Sequence, residues 1–555
     1  MRRYRLGRLS RLVWAALLIA ACKSDGGGGP NLASCVASQG DVLTLAVGGY
    51  CAIDPAALKA PLKFPANPSA TDSAEYLLVP QSATGTADAA GPFTLQNAAV
   101  TPVAPFRSPI PFISVRTPTA QRFDAFLRRA EASGYFGTPE RMAPAGPARA
   151  SAAATAPPVV GDMRNFRICG SLNCDSFPTV TAVAKAVQAH IALFVDTLAP
   201  SNGLSQADLD SVATLFASQL YAVDTTAFGR ESDIDNNGVV IVLMTPRVNS
   251  LVTASECTST GFVAGFFYGY DISTGADSRS NHGEIFYSLV ADPSGTLSCA
   301  HSVTSIKHLV PVTFIHEFQH MISFNQHVLV RHGQSEVLWL NEGMSHFAEE
   351  LGGRSFLPAA DTVSFSRFVQ GDLYNAEQYL LAPTTHPLVD VSGIGGLAER
   401  GAYWLFVRYI TDQFGSGLTR KLEFTTQTGA NNVAAQTGVP FDVTLNRFAL
   451  AQWVSDLPGF SPPPELTYTS WGFRATFASL YAQDSTNFPR VFPLVPVVAG
   501  GGAIGVTDSL HAGSGFYLRA MQAPSGPSFG VTFAGGGGGG FAAGLVPRLN
   551  VIRIR

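Results

Sequence analysis

The stretch VTFIHEFQHMI, residues 312–322, has the apolar spacing of a buried helix. Within it, His316 and His320 are four residues apart, and Glu317 follows the first histidine directly. Helical residues four apart lie about 40° apart around the axis and about 6 Å along it. Both imidazoles can therefore reach one metal ion, while Glu317 projects beside that ion, where a carboxylate can act as a general base.

A second helical segment, WLNEGMSHFAEE at residues 339–350, follows after a short interval. Glu342 lies at its start. Two antiparallel helices can bring this carboxylate to the histidine pair and complete a tetrahedral site of two histidines and one glutamate, with one position left for water. The alternative is that Glu342 caps its helix and that the histidines form a hydrogen-bonded pair in the core.

Two further residues of this segment face the same way as Glu342. His346, one turn later, is close enough to compete for the metal or to orient a ligand, and we predict the orienting role. A histidine at a helix interface is the alternative. Glu349, at the next turn, is expected either to orient a ligand or to be an exposed acid.

These segments resemble the hyicolysin-like neutral metallopeptidases, a family of the glutamate-zincin type. The matching residues are HEFQHMISFNQ (316–326) and WLNEG (339–343), with further likeness at residues 228–238 and 401–415. The resemblance covers roughly residues 160–453. It implies a secreted zinc endopeptidase that binds one Zn²⁺ per chain through His316, His320 and Glu342.

The WLNEG run is also similar to that of gluzincin aminopeptidases, but the Gly-Ala-Met-Glu-Asn substrate motif of those enzymes is absent from this sequence. Their tyrosine before a Lys-Gly-Ala run is also missing, because Ala398 and Glu399 precede Arg400 here. The candidates for stabilising an oxyanion are therefore Tyr403, His386 and Arg400. A tyrosine on an apolar helix is more often a core residue.

Upstream of the histidines, Asp233, Asp235, Asn237 and Gly238 have the spacing of the first half of a calcium loop. The twelfth position is Met244 rather than glutamate, so Ca²⁺ binding is predicted only as an alternative to an Asn-Gly turn with solvated acids. The β-rich run at residues 284–290 is expected to be either an edge strand that pairs with a peptide substrate or a buried central strand.

The predicted fold is multidomain, with an α+β zincin-type metallopeptidase core flanked by small β domains. The boundaries are an N-terminal β domain at 35–97, an Ala/Pro-rich linker at 98–158 with a helical pattern at 121–130, the metallopeptidase domain at 159–455, a connector at 456–490 and a C-terminal β domain at 491–555. Within the core we expect helices at 180–198, 206–221 and 401–414 and a strand at 239–244.

The first 22 residues have the pattern of a lipoprotein signal peptide. A basic stretch precedes a short apolar run, and the sequence Leu-Ile-Ala-Ala before Cys22 resembles a bacterial lipobox. Cys22 is then the lipidation site, residues 23–34 form a tether, and the protein is an exported bacterial lipoprotein of the outer membrane or cell surface. An ordinary secretory signal is the alternative.

Six cysteines remain after Cys22, an even number that is typical of disulfides in an oxidising compartment. Proximity in the sequence predicts three disulfides, namely Cys35–Cys51, Cys169–Cys174 and Cys257–Cys299.

The composition also bears on which classes of partner the protein can bind. With 14% charged residues and a formal net charge of −4, the chain shows no sign of nucleic-acid binding. The predicted partners are protein or peptide substrates and, through the lipid on Cys22, a membrane; the sequence does not predict an oligomeric state. The predicted function is hydrolysis of peptide bonds by metal-activated water. The rival is a surface-anchored binding or adhesion lipoprotein with a structural or vestigial zinc site.

Overall fold

The structure is a computed structural model that describes residues 41–97, 119–133, 156–273, 277–393 and 395–555. The predicted signal peptide, Cys22, the tether and most of the Ala/Pro-rich linker lie outside the described residues. The described part is a multidomain α+β protein with one mixed sheet, a set of packed helices and a two-sheet β unit.

The strands are β1 (Tyr50–Ile53), β2 (Leu62–Phe64), β3 (Ala74–Ser82), β4 (Ala90–Gln96), β5 (Met163–Arg167), β6 (Thr179–Gln188), β7 (His190–Asp196), β8 (Val239–Met244), β9 (Gly265–Phe267), β10 (Ile285–Ser288), β11 (Val497–Gly500), β12 (Gly505–His511), β13 (Leu518–Gln522), β14 (Phe529–Gly535) and β15 (Pro547–Arg553).

The helices are α1 (Thr119–Ala132), α2 (Gln206–Leu215), α3 (Tyr221–Ala227), α4 (Pro246–Asn249), α5 (Ala254–Thr260), α6 (Val303–Phe324), α7 (Leu338–Arg354), α8 (Thr362–Leu381), α9 (Leu397–Phe414), α10 (Leu418–Glu423), α11 (Gly429–Thr437), α12 (Phe441–Val454) and α13 (Phe473–Gln483). Single π-helical turns extend α2 at Phe216–Leu220 and α6 at Asn325–Val330.

The mixed sheet has the strand order β5-β6-β7-β8-β10-β9. Strands β7, β8 and β10 are parallel, and β9 runs antiparallel to β10 at one edge. The predicted strand at 239–244 is confirmed with the same bounds. The run at 284–290 contributes β10, which lies between β8 and β9, so it is an internal strand and the edge belongs to β9.

The predicted helix at 180–198 is wrong, because this segment forms the β6–β7 hairpin. Val180, Ala182, Ala184 and Ala186 are buried while the residues between them are more exposed. This alternation has the period of two that is typical of a strand with one buried face, and it prevails over the high helix propensity of alanine.

The prediction of separate N-terminal and C-terminal β domains is also wrong. One sheet has the order β1-β15-β3-β13-β11 and the other β12-β4-β14-β2, so each combines strands from both ends of the chain. Between them lies one apolar core that includes Phe64, Phe93, Leu518, Phe529 and Val551. Neither terminal segment has a complete sheet without the other.

The β unit packs against the helices through β3, which is buried on both faces. Gln81 of β3 donates a hydrogen bond to the carbonyl of Leu445 (3.2 Å), and the Tyr517 hydroxyl donates to the carbonyl of Ala449 (2.8 Å), both on α12. The predicted connector at 456–490 contains α13 and is held against the helices by Trp471, which donates to Glu350 of α7 (2.8 Å) and packs edge-on against Trp404 of α9.

Two of the predicted disulfides, Cys169–Cys174 and Cys257–Cys299, are confirmed. Cys51 is also disulfide-bonded, and its predicted partner Cys35 lies outside the described residues. Among the helices of the described ranges, none has both the length and the apolar composition that crossing a membrane requires.

Candidate metal centre

Helices α6 and α7 pack side by side and bring His316, His320 and Glu342 together in the interior. His316 Nε2 lies 3.4 Å from Glu342 Oε2, and His320 Nε2 lies 3.5 Å from Glu342 Oε1. These separations are long for hydrogen bonds. In a tetrahedral zinc site with bonds of about 2.0–2.1 Å, neighbouring ligand atoms are about 3.3–3.4 Å apart. The three side chains therefore fit a metal ion.

The Glu342 carboxylate supports the same fit. Its side chain is 0% exposed, and its Oε1 atom has no hydrogen-bond partner among the described residues. A buried carboxylate oxygen without a partner is costly, and a bound cation would remove that cost. Although burial opposes ionisation, Arg400 and the two imidazoles hold the pKa of Glu342 well below its usual value. The group is thus an anion ready to bind a cation.

Each histidine is oriented by an acceptor on α7. His316 Nδ1 lies 2.6 Å from Glu349 Oε1, and His320 Nδ1 lies 3.0 Å from Asn341 Oδ1. When Nδ1 carries the proton and donates it to such an acceptor, Nε2 presents its lone pair to the metal. Glu349 is buried, so the alternative that it is an exposed acid is wrong, and its contact with His316 is compatible with the orienting role. Asn341 was not predicted, although it stands directly before Glu342 in the sequence.

His346 does not join the three candidate ligands. Its Nδ1 atom lies 3.0 Å from Glu349 Oε1 and 2.9 Å from Asp372 Oδ1, and its ring packs edge-on against that of His316. His346 therefore stabilises Glu349, which in turn contacts His316. Asp372, on α8, had no motif in the sequence that would have identified it.

Glu317 lies beside the histidines and is buried. Its Oε2 atom accepts a hydrogen bond from the backbone N–H of Phe267 (2.9 Å), in the edge strand β9. Burial, followed by the negative charge of Asp124, raises the pKa of Glu317 to about 8 in the metal-free protein. A carboxylate with such a high proton affinity, held against a strand edge, is suited to accept and return a proton.

The three oxyanion candidates lie in different places. Arg400 is buried, and its Nη1 atom donates to Glu342 Oε2 (2.6 Å) while Nη2 contacts Asp124 Oδ2 (3.3 Å). Tyr403 is buried with its hydroxyl 3.3 Å from Asp390, and His386 pairs with Glu399 at 2.8 Å. Neither Tyr403 nor His386 lines the cleft described below. Of the three, Arg400 alone contacts a candidate ligand.

A cleft of about 780 Å³ opens next to the three candidate ligands. Its walls are formed by α6, by β9 and by α8, and its lining includes Gly265, Thr313, His316, Glu317 and Arg400. Asp124 of α1 lines the same cleft. The cleft therefore gives solvent and a ligand a route to Glu317 and His316.

Helix α1, the helical part of the Ala/Pro-rich linker, lies against the outer edge of β9. The Arg128 side chain donates to the carbonyl of Phe267 (3.1 Å), and Glu131 accepts a hydrogen bond from the N–H of Gly269. Arg128 and Glu131 also form a buried ion pair of 3.2 Å. The sequence pattern predicted this helix but gave no sign that it would lie at the site.

The predicted calcium-loop residues lie far along the chain from this centre, before β8. Asp233 and Asp235 come together, but Asn237 offers them no free oxygen, because its Oδ1 atom accepts from the N–H of Val239 (2.8 Å) and its Nδ2 atom donates to Asp235 Oδ2 (2.7 Å). Glu284, which was not predicted, takes the third place in the cluster.

Comparison of the chain with protein-family models and with curated proteins found no match.

Proposed function

We propose that this protein is a zinc-dependent endopeptidase in which His316, His320 and Glu342 bind the metal and Glu317 is the general base. The observation that carries the proposal is the convergence of the two Nε2 atoms and the Glu342 carboxylate at 3.4–3.5 Å, with one oxygen of that carboxylate lacking a hydrogen-bond partner among the described residues. Zinc bound there would polarise a substrate carbonyl and lower the pKa of water toward about 7.

In this proposal Glu317 takes the proton from the attacking water and returns it to the leaving amine, so that no covalent acyl-enzyme forms. Its hydrogen bond to the N–H of Phe267 fixes the carboxylate between α6 and β9. Glu349 and Asn341 hold the two imidazoles in the tautomer that leaves Nε2 free. Arg400 neutralises part of the charge on Glu342 and fixes its orientation.

The edge strand β9 supports a peptide as the substrate. Gly265 lies in this strand and lines the cleft, and its neighbour Ala264 already points its carbonyl inward to the N–H of Leu289. Because backbone groups alternate along a strand, the polar groups of Gly265 face outward, where an extended peptide can pair with them.

The rival proposal, a binding or adhesion lipoprotein, is favoured if the metal position is closed by a fourth protein ligand. His346 was the predicted candidate for that ligand, but it does not join the cluster of His316, His320 and Glu342, and its Nδ1 atom lies 2.9 Å from Asp372 and 3.0 Å from Glu349. This arrangement favours the catalytic proposal.

The test uses a protein that begins at Lys23, measured for metal by plasma mass spectrometry and for casein cleavage with and without a chelator. We expect one zinc per chain and chelator-sensitive cleavage. Glu317→Gln should keep the zinc and lose about 10²- to 10⁴-fold in turnover. Zinc without cleavage would favour the binding protein, and absence of zinc would overturn the peptidase proposal.

Export and anchoring are proposed from the sequence, with the lipid on Cys22 and the protein on the outer membrane or cell surface. Metabolic labelling with a fatty acid tests this. The label should appear on the wild-type chain and be lost in Cys22→Ser, and an unlabelled wild-type chain would contradict the proposal.

A further inference from the structure

A second candidate metal site, separate from the first, lies where the loop before β8 meets the turn before β10. One carboxylate oxygen from each of Asp233, Asp235 and Glu284 lies within 4.8 Å of the others. Asp233 is exposed, Asp235 is half-buried and Glu284 is buried, so the cluster extends from the surface into the sheet. Water and a cation can enter from the Asp233 side.

The buried member of the cluster has an unsatisfied oxygen. Glu284 is 1% exposed, and its Oε1 atom accepts from the Ser232 hydroxyl (2.6 Å) and the N–H of Ile234 (3.0 Å). Its Oε2 atom has no hydrogen-bond partner among the described residues. Burial, followed by the charge of Asp235, raises the pKa of Glu284 to about 7. A cation on this oxygen would offset the cost of burying it.

The charges of the cluster are also unbalanced. Arg164 Nη1 lies 4.0 Å from Asp235 Oδ2, and this pair is the one ion pair recorded for the three carboxylates among the described residues. Once a cation displaces the proton of Glu284, three ionised carboxylates against one guanidinium leave two negative charges, which matches a divalent cation. Gly283 lies directly against the cluster, because a Cβ atom at this position would be 3.1 Å from Asp235 Oδ2.

The donors select calcium among divalent cations. All are carboxylate oxygens, which hard cations prefer to the nitrogen and sulfur ligands of zinc. Calcium also tolerates an irregular ligand set completed by water.

We propose that Asp233, Asp235 and Glu284 form a calcium site that fixes the loop before β8 to the sheet. Glu284 also accepts, through its carbonyl, the N–H of Ile241 in β8 (2.8 Å). In the same loop, the Arg230 carbonyl accepts from Asn325 (2.8 Å) and Gln326 (2.6 Å), at the end of the helix that carries His316 and His320. Calcium binding would therefore stabilise both the sheet and the end of α6.

The test titrates CaCl₂ into zinc-loaded protein in a metal-free buffer, in the Glu317→Gln background to prevent self-cleavage. Calorimetry should give one calcium ion per chain, and the thermal unfolding midpoint should rise by several degrees at saturation. Equal MgCl₂ should give a much smaller rise. These readouts do not depend on peptidase activity.

Asp235→Asn and Glu284→Gln should each weaken calcium binding at least about tenfold, because each removes a charged ligand. Asp233→Asn changes the exposed carboxylate of the cluster, and it is the test variant to use if a variant at a buried position does not fold. Asp210→Asn, an exposed acid on α2, is the matched control and should bind calcium like the parent. No calcium binding by the parent protein, or unchanged binding by all three ligand variants, would overturn the proposal.

A different observation concerns α1 and rests on the proposed peptidase function. Arg128 occupies the carbonyl of Phe267, an outward-facing group of β9, and Glu131 accepts from the N–H of Gly269 in the 3-10 turn that follows the strand. An extended peptide adding to this edge would need the Phe267 carbonyl that Arg128 occupies. Phe123 and Leu127 of α1 are buried in the main core, so the helix is firmly seated.

From this overlap we infer that α1 is an intramolecular inhibitor that blocks one end of the peptide-binding edge. Helix α1 then competes with long substrates for the edge of β9, and it leaves the end of that edge at Gly265 open. The flanking linker residues 98–118 and 134–155 lie outside the described residues.

The double variant Arg128→Met/Glu131→Met removes both contacts and leaves neither charge of the buried pair unpaired. We expect its casein cleavage to rise at least about threefold at unchanged zinc content, with little change for a short peptide. Arg122→Met, an exposed position on the same helix, should leave both rates unchanged. Unchanged or reduced casein cleavage by a zinc-loaded double variant would overturn the inhibitory role, whereas a wild-type protein without zinc or cleavage would overturn the peptidase function itself.

Discussion

Glu349 Oε1 lies 2.6 Å from Nδ1 of His316, on the side of the imidazole opposite to Glu342. The same oxygen is 3.0 Å from Nδ1 of His346. The imidazole of His346 therefore favours the ionised form of Glu349, and ionised Glu349 favours the Nδ1-protonated form of His316. Through these contacts His346, which lies outside the three candidate ligands, can influence the protonation of His316.

Glu349→Ala should weaken zinc binding by about 10- to 100-fold, because His316 loses the acceptor that fixes its tautomer and ring orientation. Glu349→Gln keeps an acceptor oxygen, so its loss of zinc affinity should be much smaller. Chelator competition on the purified proteins measures the affinities. Equal affinities for the two variants would show that the contact does not act on the metal.

Arg400→Met should destabilise the metal-free protein by about 3–5 kcal/mol, because it leaves the buried Glu342 and the half-buried Asp124 without their cation. The loss should be smaller with zinc present, since zinc also neutralises Glu342. Adding Asp124→Asn removes one of the two unpaired charges and should recover part of the stability. Urea unfolding with and without zinc measures these differences, and a loss that does not depend on zinc would contradict the assignment of Glu342 as a ligand.

Glu350, the residue after Glu349, is a buried hub that accepts from Trp404 (3.0 Å), Trp471 (2.8 Å), Arg354 (2.6 Å) and Arg408 (3.2 Å). Glu350→Leu should cost about 3–5 kcal/mol, because it leaves buried donors and guanidinium charges unpaired. Trp471→Phe removes one donor of this hub and should cost only about 1 kcal/mol. Urea denaturation measures both values, and a near-neutral Glu350→Leu would show that the hub contributes little.

The sequence predicted those parts of the site that depend on residues close together in the chain. The spacing of His316 and His320 and the position of Glu342 determine a local geometry, and strand β8 was predicted with its correct bounds. The contact of Arg400 with Glu342 could not be predicted, because it depends on how α9 crosses α7, and no local pattern encodes that crossing.

The errors in the fold have two physical causes. In residues 180–198, alanines with high helix propensity masked an alternation with a period of two. In the β unit, Leu78 pairs with Val551 and Leu518, more than four hundred residues away, and sheet register between such distant segments leaves no signal in either segment alone.

The shared sheets lead to a prediction about folding. A chain that ends at Arg490 lacks β11 to β15, so β3 loses both of its neighbours and β1 loses its partner β15. We expect this truncated chain to be insoluble or to lose its β unit, with the core of that unit exposed. Fluorescence of a hydrophobic dye and thermal unfolding test this. A truncated chain that unfolds like the full one would show that the N-terminal strands are stable alone.

Asp271, just after β9, should make stability depend on pH. Burial raises its pKa from the ordinary value of 3.8 to about 7, and the carboxyl group receives hydrogen bonds from the Tyr287 hydroxyl and the N–H of Asn281. Because the folded state holds this proton more tightly than the unfolded chain, the stabilisation is complete below about pH 4 and is lost as the pH rises through about 7. The slope from this group is at most about 1.4 kcal/mol per pH unit.

Asp271→Asn keeps the shape of the side chain but carries no titrating proton, so its free energy of unfolding should fall less steeply between pH 5 and 7 than that of the wild type. Other buried carboxylic acids, such as Glu336, have pKa values raised in the same direction and contribute to both slopes. The difference between the two proteins therefore isolates Asp271. Urea unfolding at a series of pH values measures it, and parallel curves would mean that Asp271 remains ionised in the fold, which would require a cation or a rearranged Tyr287 beside it.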